Sequence, residues 1–194
     1  MWRLRLPRSD SLGEMAAVQI VFETHSTSTD NEAGIASGSR DVGLSELGRR
    51  QAADLGQRSR GRYDAVYASD LRRSIQTAEL AFADTVPIHV DARLREQDYG
   101  ERTGAPSKEI EEERRGTVDE PFPGGESLRD VAARVRSFLD ELPDARRFLL
   151  IGHRATKIVL DHLLGDMTIE EAVTAPYTWQ PGWPYVFGAR ATPS

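Results

Sequence analysis

Two apolar segments that each lead to a histidine constrain this sequence most strongly. Residues 18–23 are rich in β-branched side chains and are followed by His25, and residues 148–151 are followed by His153. Segments of this length and composition are typical of buried strands in a sheet. Ligands bind beyond the carboxyl ends of strands in open α/β sheets. A single histidine after a strand is more often structural, but two in this arrangement indicate one shared site.

Shorter strands and several helices are predicted between and after these two segments. The strands are predicted over residues 65–67 and 87–90, with a last edge strand at 185–188. The helices are predicted over residues 46–61, 70–82, 107–115, 128–142 and 155–164. The alternation of strand and helix predicts a single three-layer α/β domain with a mostly parallel central sheet and helices on both faces.

The helix predicted over residues 70–82 begins with two neighbouring arginines, Arg72 and Arg73. A helix N-terminus with a guanidinium beside it suits an anion, although one of two such arginines is usually solvated. We expect the apolar residues of this helix to form its buried side. These residues are Leu71, Ile75, Ala78 and Leu80.

Three further regions are candidates for shaping a site. Glu96 lies in a loop after a predicted strand, where its carboxyl group could reach the crevice. Residues 105–125, here called the lid segment, are rich in charge, proline and glycine and are a candidate lid. Residues 175–185 contain aromatic side chains and prolines, and they either form a pocket wall or simply pack on the sheet.

Composition excludes several kinds of function. The net charge of -6 and the absence of a basic block argue against a nucleic-acid partner, while a local arginine cluster can still hold a small anion. The absence of cysteine excludes disulfides, thiol nucleophiles and thiolate metal sites. No stretch is typical of a membrane span or a secretory signal, which predicts a cytoplasmic protein without a membrane partner. We expect residues 1–14 to be a flexible extension and residues 15–194 to form the domain.

Six sequence blocks occur in a defined order along the chain. They are THSTSTDN from residue 24, LSELGRRQA from residue 44, SDLRRSIQTA from residue 69, LREQDYG from residue 94, PGGES from residue 123 and GH at residue 152. From about residue 18 to residue 165 the chain thereby resembles the histidine phosphatase superfamily, also called phosphoglycerate mutase-like. Each block alone is a weak signal, but their order and spacing together are specific.

The resemblance implies a catalytic role for four residues. His25 would be the nucleophile that forms a transient phosphohistidine, and His153 would bind and polarise the phosphoryl group. Arg73 would clamp the phosphoryl oxygens. Glu96 would give a proton to the leaving alkoxide and later take one from water, which favours a raised pKa. The implied mechanism needs no metal or other cofactor.

The binding residues include departures from the family pattern. Substrate contacts are predicted for Thr24, Ser26, Ser28, Asn31 and Arg154. Thr24 stands where the family has arginine, Ser26 where it has glycine, and Arg154 where it has a small residue. Arg154 either supplies the missing phosphate cation or forms a salt bridge with Glu23.

The predicted function is hydrolysis of a small phosphomonoester through phosphohistidine. A phosphatase is favoured because the segment from residue 96 to residue 125 is short for a mutase. A phosphoglycerate mutase-type phosphotransferase is the second hypothesis. A catalytically weak or inactive binding protein on the same fold is the third, because of Thr24. The substrate and the oligomeric state stay open.

Overall fold

The computed structural model describes residues 17–144 and 146–188 and contains a five-stranded sheet. Its strands are β1 (Val18–Thr24), β2 (Ala65–Ala68), β3 (Ile88–Val90), β4 (Arg147–Gly152) and β5 (Trp183–Phe187). The strand order is β3-β2-β4-β1-β5, with β5 antiparallel to β1 and the other pairs parallel. The predicted edge strand at the end of the domain is therefore confirmed. The predicted extension over residues 1–14 lies outside the described residues.

Helices follow the strands in the predicted order. They are α1 (Thr29–Glu32), α2 (Glu46–Ser59), α3 (Arg72–Phe82), α4 (Ser107–Glu113), α5 (Leu128–Leu139), α6 (Arg154–Leu163) and α7 (Ile169–Thr174). Short 3₁₀ turns lie at Ala92–Leu94, Gly100–Arg102 and Arg114–Gly116. Only α1 and α7 were not predicted, because they are too short to show a helical period. Within the described ranges, no helix has the length and apolar character needed to cross a membrane.

The two sides of β4 show why the sheet has helices on both faces. Successive side chains of a strand point to opposite faces. Phe148 and Leu150 belong to a core that includes residues of α5, α6 and α7, whereas Leu149 and Ile151 pack with residues of α2 and α3. All four side chains are buried. The predicted three-layer α/β architecture is confirmed.

The register of the two central strands brings their ends together. Thr24 of β1 pairs with Gly152 of β4, and the backbone N–H of His25 donates to the carbonyl oxygen of Gly152 at 2.9 Å. Because the strands are parallel, the residues that follow them leave the sheet at the same edge. His25 and His153 are therefore neighbours, as the sequence predicted.

Helix α5 is fixed at its start by a capping box. Ser127 Oγ accepts from the backbone N–H of Asp130 at 3.2 Å, and Asp130 Oδ2 accepts from the N–H of Ser127 at 2.9 Å. We expect Ser127→Ala to lower the free energy of unfolding by about 1 kcal/mol, which denaturant titration measures. The control is Ser137→Ala in the same helix, where Ser137 is exposed and its hydroxyl accepts a 3.3 Å contact from Arg93, and it is expected within about 0.5 kcal/mol of wild type. Equal effects of both substitutions would contradict the capping role.

Candidate active site

The ring nitrogens of His25 have opposite hydrogen-bonding roles. Nδ1 lies 2.7 Å from the carbonyl oxygen of Ser26, which can only accept a hydrogen bond. Nε2 lies 3.2 Å from Nε of Arg73, which can only donate one. These partners assign the proton to Nδ1 and leave the lone pair on Nε2. The neutral ring therefore has the tautomer that a nucleophilic Nε2 requires.

Arg73 is held by the loop that follows α1. Its Nη1 donates to the carbonyl oxygen of Arg40 at 2.9 Å, and its Nη2 donates to that of Gly38 at 2.8 Å. The residue is 2% exposed, whereas Arg72 is exposed to solvent. Of the two arginines at the start of α3, Arg73 is thus the one brought to the site. Its guanidinium is oriented before any ligand binds.

His153 lies behind His25, with the two ring centroids 5.0 Å apart. It is 1% exposed, and its Nε2 lies 3.3 Å from Ser74 Oγ. Its Nδ1 is buried without a hydrogen-bond partner among the described residues. Burial, followed by the electrostatic effects of Arg73 and His25, lowers the pKa of His153 well below the ordinary value. His153 is therefore a buried, neutral ring next to His25.

The environment of His25 keeps its ring neutral as well. Burial and then the charge of Arg73 lower the pKa of His25 to about 4, against the opposing hydrogen bond to Ser26 and the charge of Glu96. This folded-state pKa lies below the ordinary value of 6.5, so the contribution of His25 to the free energy of unfolding is fully present above pH 6.5. That contribution is lost as the pH falls from 6.5 through about 4.

We expect the His25 ring resonance in proton NMR to stay constant between about pH 5.5 and 8, since an ordinary histidine titrates within this range. The spectrum of a His25→Ala variant assigns the resonance. A titration midpoint near the ordinary histidine value would contradict the neutral, partly buried ring described above.

Glu96 binds the beginning of helix α6 through its carboxylate. Oε1 accepts from the backbone N–H groups of Ala155 at 3.0 Å and Gln97 at 2.9 Å, and Oε2 accepts from that of Arg154 at 3.2 Å. Burial raises the pKa of Glu96, but the charge of Arg114 and the backbone donors outweigh it and hold the pKa below its usual value. The expectation of a raised pKa is therefore wrong for the ligand-free site.

Ser28 and Asn31 form a capping box around α1. The amide oxygen of Asn31 accepts from the backbone N–H of Ser28 at 3.0 Å and from its hydroxyl at 2.9 Å. Because both bonds use Oδ1, the Nδ2 group is left to donate to a ligand. Asn31 lines both cavities beside His25. Ser28 is fully buried, lines neither cavity and orients Asn31, while its predicted contact with the substrate stays a prediction.

Thr24 and Ser26 flank the candidate nucleophile. The Thr24 hydroxyl lies 3.5 Å from the hydroxyl of Tyr177, and the backbone N–H of Ser26 donates to Thr77 Oγ1 at 3.0 Å. Both residues line a cavity of about 410 Å³, here called the outer cavity. Neither provides a positive charge in place of the family's arginine, and their contacts with the substrate stay predictions.

Arg154 has a partner that the sequence did not suggest. Its Nε and Nη2 donate to Oε1 of Glu111 at 3.1 and 3.0 Å, and its guanidinium lies 4.8 Å from the ring centroid of Tyr177. The proposed salt bridge with Glu23 is wrong, because Glu23 binds Arg58 at 2.8 Å. Burial raises the pKa of Glu23 to about 7, against the lowering effect of Arg58.

The lid segment forms one wall of a second cavity of about 170 Å³, here called the inner cavity. Helix α4 is fixed there because Ile110 packs with Tyr99 and Phe122 in a small buried cluster. The residues that line the inner cavity include His25 and the charged side chains of Arg73, Glu96, Glu111, Arg114 and Arg154. The packing explains the position of the segment, while its opening as a lid stays a prediction.

Arg114 is the site residue that the sequence reasoning missed. It is 3% exposed, and its guanidinium donates to the hydroxyl of Tyr99 and to Glu111. Its Nε has no hydrogen-bond partner among the described residues. Two adjacent arginines, Arg114 and Arg115, follow α4, and the local sequence contains no signal for which one is buried.

Residues 175–185, which follow α7, were predicted either to form a pocket wall or to pack on the sheet, and they do both. Tyr177 and Trp179 line the outer cavity, which also contains the carboxylates of Glu23 and Asp54. Trp183 instead belongs to β5 and packs on Phe22, with ring centroids 5.9 Å apart. Part of this segment is thus a pocket wall and part of it is sheet packing.

The histidines outside the site have structural contacts. His89 is exposed and stacks on Tyr67 with ring centroids 4.9 Å apart, and His162 Nδ1 lies 3.1 Å from the carbonyl oxygen of Met167. Across residues 17–144 and 146–188, no group of three or more histidine, aspartate or glutamate side chains is arranged to hold a metal ion.

Known proteins are similar to this chain in sequence. The profile of the histidine phosphatase superfamily, branch 1, matches residues 20–176. Phosphoserine phosphatase 1 of Hydrogenobacter thermophilus is 37% identical over 135 residues, which span 64% of each chain. A 2,3-bisphosphoglycerate-dependent phosphoglycerate mutase of Methylobacterium sp. is 32% identical over 169 residues, covering 74% of this chain and 81% of the mutase.

Solved structures show the same similarity. Mycobacterial glucosyl-3-phosphoglycerate phosphatase superposes with a TM-score of 0.68 at 27% identity, covering 81% of this chain and 84% of the other. A protein described as mycobacterial hydrolase 1 gives a TM-score of 0.68 at 30% identity, covering 81% and 85%. The similarity thus extends over most of the described residues and includes both histidine-bearing strands.

Proposed function

Since the chain belongs to the histidine phosphatase superfamily, we propose that it hydrolyses a small phosphomonoester through a phosphohistidine on His25. The observation that carries this proposal is the fixed tautomer of His25. Ser26 accepts from Nδ1 and Arg73 donates to Nε2, so the nucleophilic lone pair faces the same guanidinium that would bind the phosphoryl oxygens. A purely structural histidine does not require this arrangement.

In the first step, Nε2 of His25 forms a bond to phosphorus while the bond from phosphorus to the leaving oxygen breaks. In the ligand-free site Nε of Arg73 donates to Nε2 of His25. When the substrate binds, this N–H donates to a phosphoryl oxygen instead, which frees the lone pair of Nε2. Glu96 lines the same cavity and gives its proton to the leaving oxygen. In the second step water attacks phosphorus, Glu96 takes the proton, and the bond between nitrogen and phosphorus breaks.

The lowered pKa of Glu96 is compatible with this role. The carboxylate is ionised in the free site, so its proton must arrive with the substrate. A phosphomonoester has its second pKa near 6, and its monoanion carries one proton into the cavity. When this proton passes to Glu96, the substrate becomes a dianion. The negative charge of the dianion disfavours an ionised carboxylate beside it and so raises the pKa of Glu96. The catalytic acid is thereby formed when the substrate binds.

The remaining contacts are assigned from their positions. Asn31 would donate through Nδ2, and Ser26 and Thr24 would contact the substrate from the outer cavity. Arg154 lines the inner cavity and stays a proposed substrate contact, although two of its three nitrogens already bind Glu111. His153 would bind and polarise the phosphoryl group from its buried position next to His25.

The proposal is tested by measuring phosphate release from a panel of phosphorylated metabolites. Acid-quenched protein incubated with labelled ester should carry a phosphate that is acid-labile and base-stable, as expected for phosphohistidine. Turnover without any such species would contradict the proposed intermediate. Absence of turnover and of phosphoprotein with every ester would favour a binding protein on the same fold.

A mutase is the second candidate, since one relative is a phosphoglycerate mutase at 32% identity. The same assay separates the two activities when it is run with 3-phosphoglycerate and a small amount of 2,3-bisphosphoglycerate, which supplies the phosphoryl group to a mutase of this kind. A phosphatase releases inorganic phosphate, whereas a mutase forms the isomeric phosphoglycerate without net release. Formation of the isomer faster than phosphate release would favour the mutase.

A further inference from the structure

Glu111 lies between two arginines of the inner cavity. Its Oε1 accepts two hydrogen bonds from Arg154, and its Oε2 accepts one from Arg114. Arg114 and Arg154 are 3% and 17% exposed at the side chain, whereas Glu111 is 43% exposed. Two largely buried guanidinium groups are therefore bound to one carboxylate that belongs to α4 and reaches in from the surface.

The charges of the inner cavity show what this contact does. The cations are Arg73, Arg114 and Arg154, and the carboxylates are Glu96 and Glu111. Arg73 is held at His25 and is the cation placed to bind the reacting phosphoryl group. The other two cations would form a second anion site if Glu111 were absent. With Glu111 present, that second site is already filled by a carboxylate of the protein.

We propose that Glu111 is a specificity-determining residue that rejects substrates with a second anionic group near the phosphate. The favoured class is phosphomonoesters whose leaving alcohol is neutral or cationic. A carboxylate on the leaving group would have to displace Glu111 from Arg114 and Arg154, or else lie beside it and be repelled. This inference rests on the proposed phosphatase function and narrows its substrate class.

The outer cavity on the other side of His25 favours the same class. Its ionisable lining side chains, apart from His25 and Tyr177, are the carboxyl groups of Glu23 and Asp54 and the guanidinium of Arg58. That guanidinium is already bound to Glu23. Tyr177 and Trp179 add aromatic faces, which attract organic cations and pack against neutral groups. Neither cavity therefore offers an unpaired cation to a carboxylate on the leaving group.

The test uses two pairs of esters that differ in one carboxylate. Glycerol 3-phosphate is compared with 3-phosphoglycerate, and phosphoethanolamine with phosphoserine. For wild type we expect kcat/KM to be at least about tenfold higher for the uncarboxylated member of each pair. Glu111→Gln keeps an oxygen acceptor but removes the charge, and it should reduce both ratios by about tenfold. The control Glu113→Gln removes an equivalent charge from the same helix, where Glu113 binds Arg102 on the outer side.

Each result has a defined reading. Equal or better turnover of the carboxylated esters by wild type overturns the inference. The inference also fails if the ratio of kcat/KM values between the two members of a pair is the same in Glu111→Gln as in Glu113→Gln. The phosphatase proposal stands in both cases. If no ester is turned over, the proposed function fails, and calorimetric titration of the four esters into wild type and Glu111→Gln decides the inference by itself. The inference is supported if wild type binds the uncarboxylated member of each pair more tightly and this preference is smaller in Glu111→Gln. Any other binding result overturns the inference.

Discussion

Replacing His25 by alanine is expected to lower kcat/KM by at least about 10³-fold, because the substitution removes the protein atom that bonds to phosphorus in the proposed mechanism. The thermal stability should change little. His25 is only partly buried, and Arg73 keeps its hydrogen bonds to the carbonyl oxygens of Gly38 and Arg40. Steady-state kinetics and a denaturation curve on the same preparation measure both quantities.

His89→Ala is the matched control for this experiment. His89 is an exposed histidine on the edge strand β3, where it stacks on Tyr67, and it lies outside both cavities. This variant should retain wild-type kinetics and the labelled phosphoprotein. Wild-type-like turnover by His25→Ala, or a label that persists in it, would show that another residue carries the phosphoryl group.

The fold and the two histidines could be predicted because their signals are local. An apolar β-branched run predicts a buried strand, and in a parallel sheet the residues that follow the strands lie at the same carboxyl edge. The pairing of Thr24 with Gly152 then brings His25 and His153 together. The central architecture follows from these few periodic segments.

Helix α3 shows where the same reasoning fails. Leu80 was expected on the buried side but is 45% exposed, whereas Arg73, Ser74 and Thr77 are buried. The rule that apolar residues face inward holds for a helix that packs on a core. The first turns of α3 face the candidate site instead, so their buried side is polar. The sequence pattern cannot distinguish these two environments.

The contacts of Arg114 and Arg154 could not be predicted for a different reason. Both bind Glu111, and the bond from Arg154 joins residues separated by 43 positions in the sequence. Such a pair depends on the position of α4, whose Ile110 packs with Tyr99 and Phe122. The lowered pKa of Glu96 has the same origin, since it depends on the charge of Arg114. Local patterns carry no information about these distances.

Replacing Glu96 by glutamine should have a large effect that depends on the leaving group. With an alkyl phosphate, whose alkoxide is strongly basic, we expect kcat to fall by about 10²–10⁴-fold, because no residue then supplies the proton. With an aryl phosphate whose phenolate is stable near neutral pH, the fall should be less than about tenfold. Steady-state rates for the two esters with wild type and Glu96→Gln measure this difference.

The comparison between the two esters separates proton transfer from structural support. Glu96 also accepts backbone hydrogen bonds at the start of α6, so its substitution changes stability, but misfolding would reduce both rates equally. Glu126→Gln is the control, since Glu126 binds Arg134 and the backbone of Asp98 and lines neither cavity. Equal losses on both esters in Glu96→Gln would mean that the carboxylate only holds α6 in place. A loss confined to the alkyl ester identifies Glu96 as the proton donor, since only that leaving group requires a proton as the bond breaks.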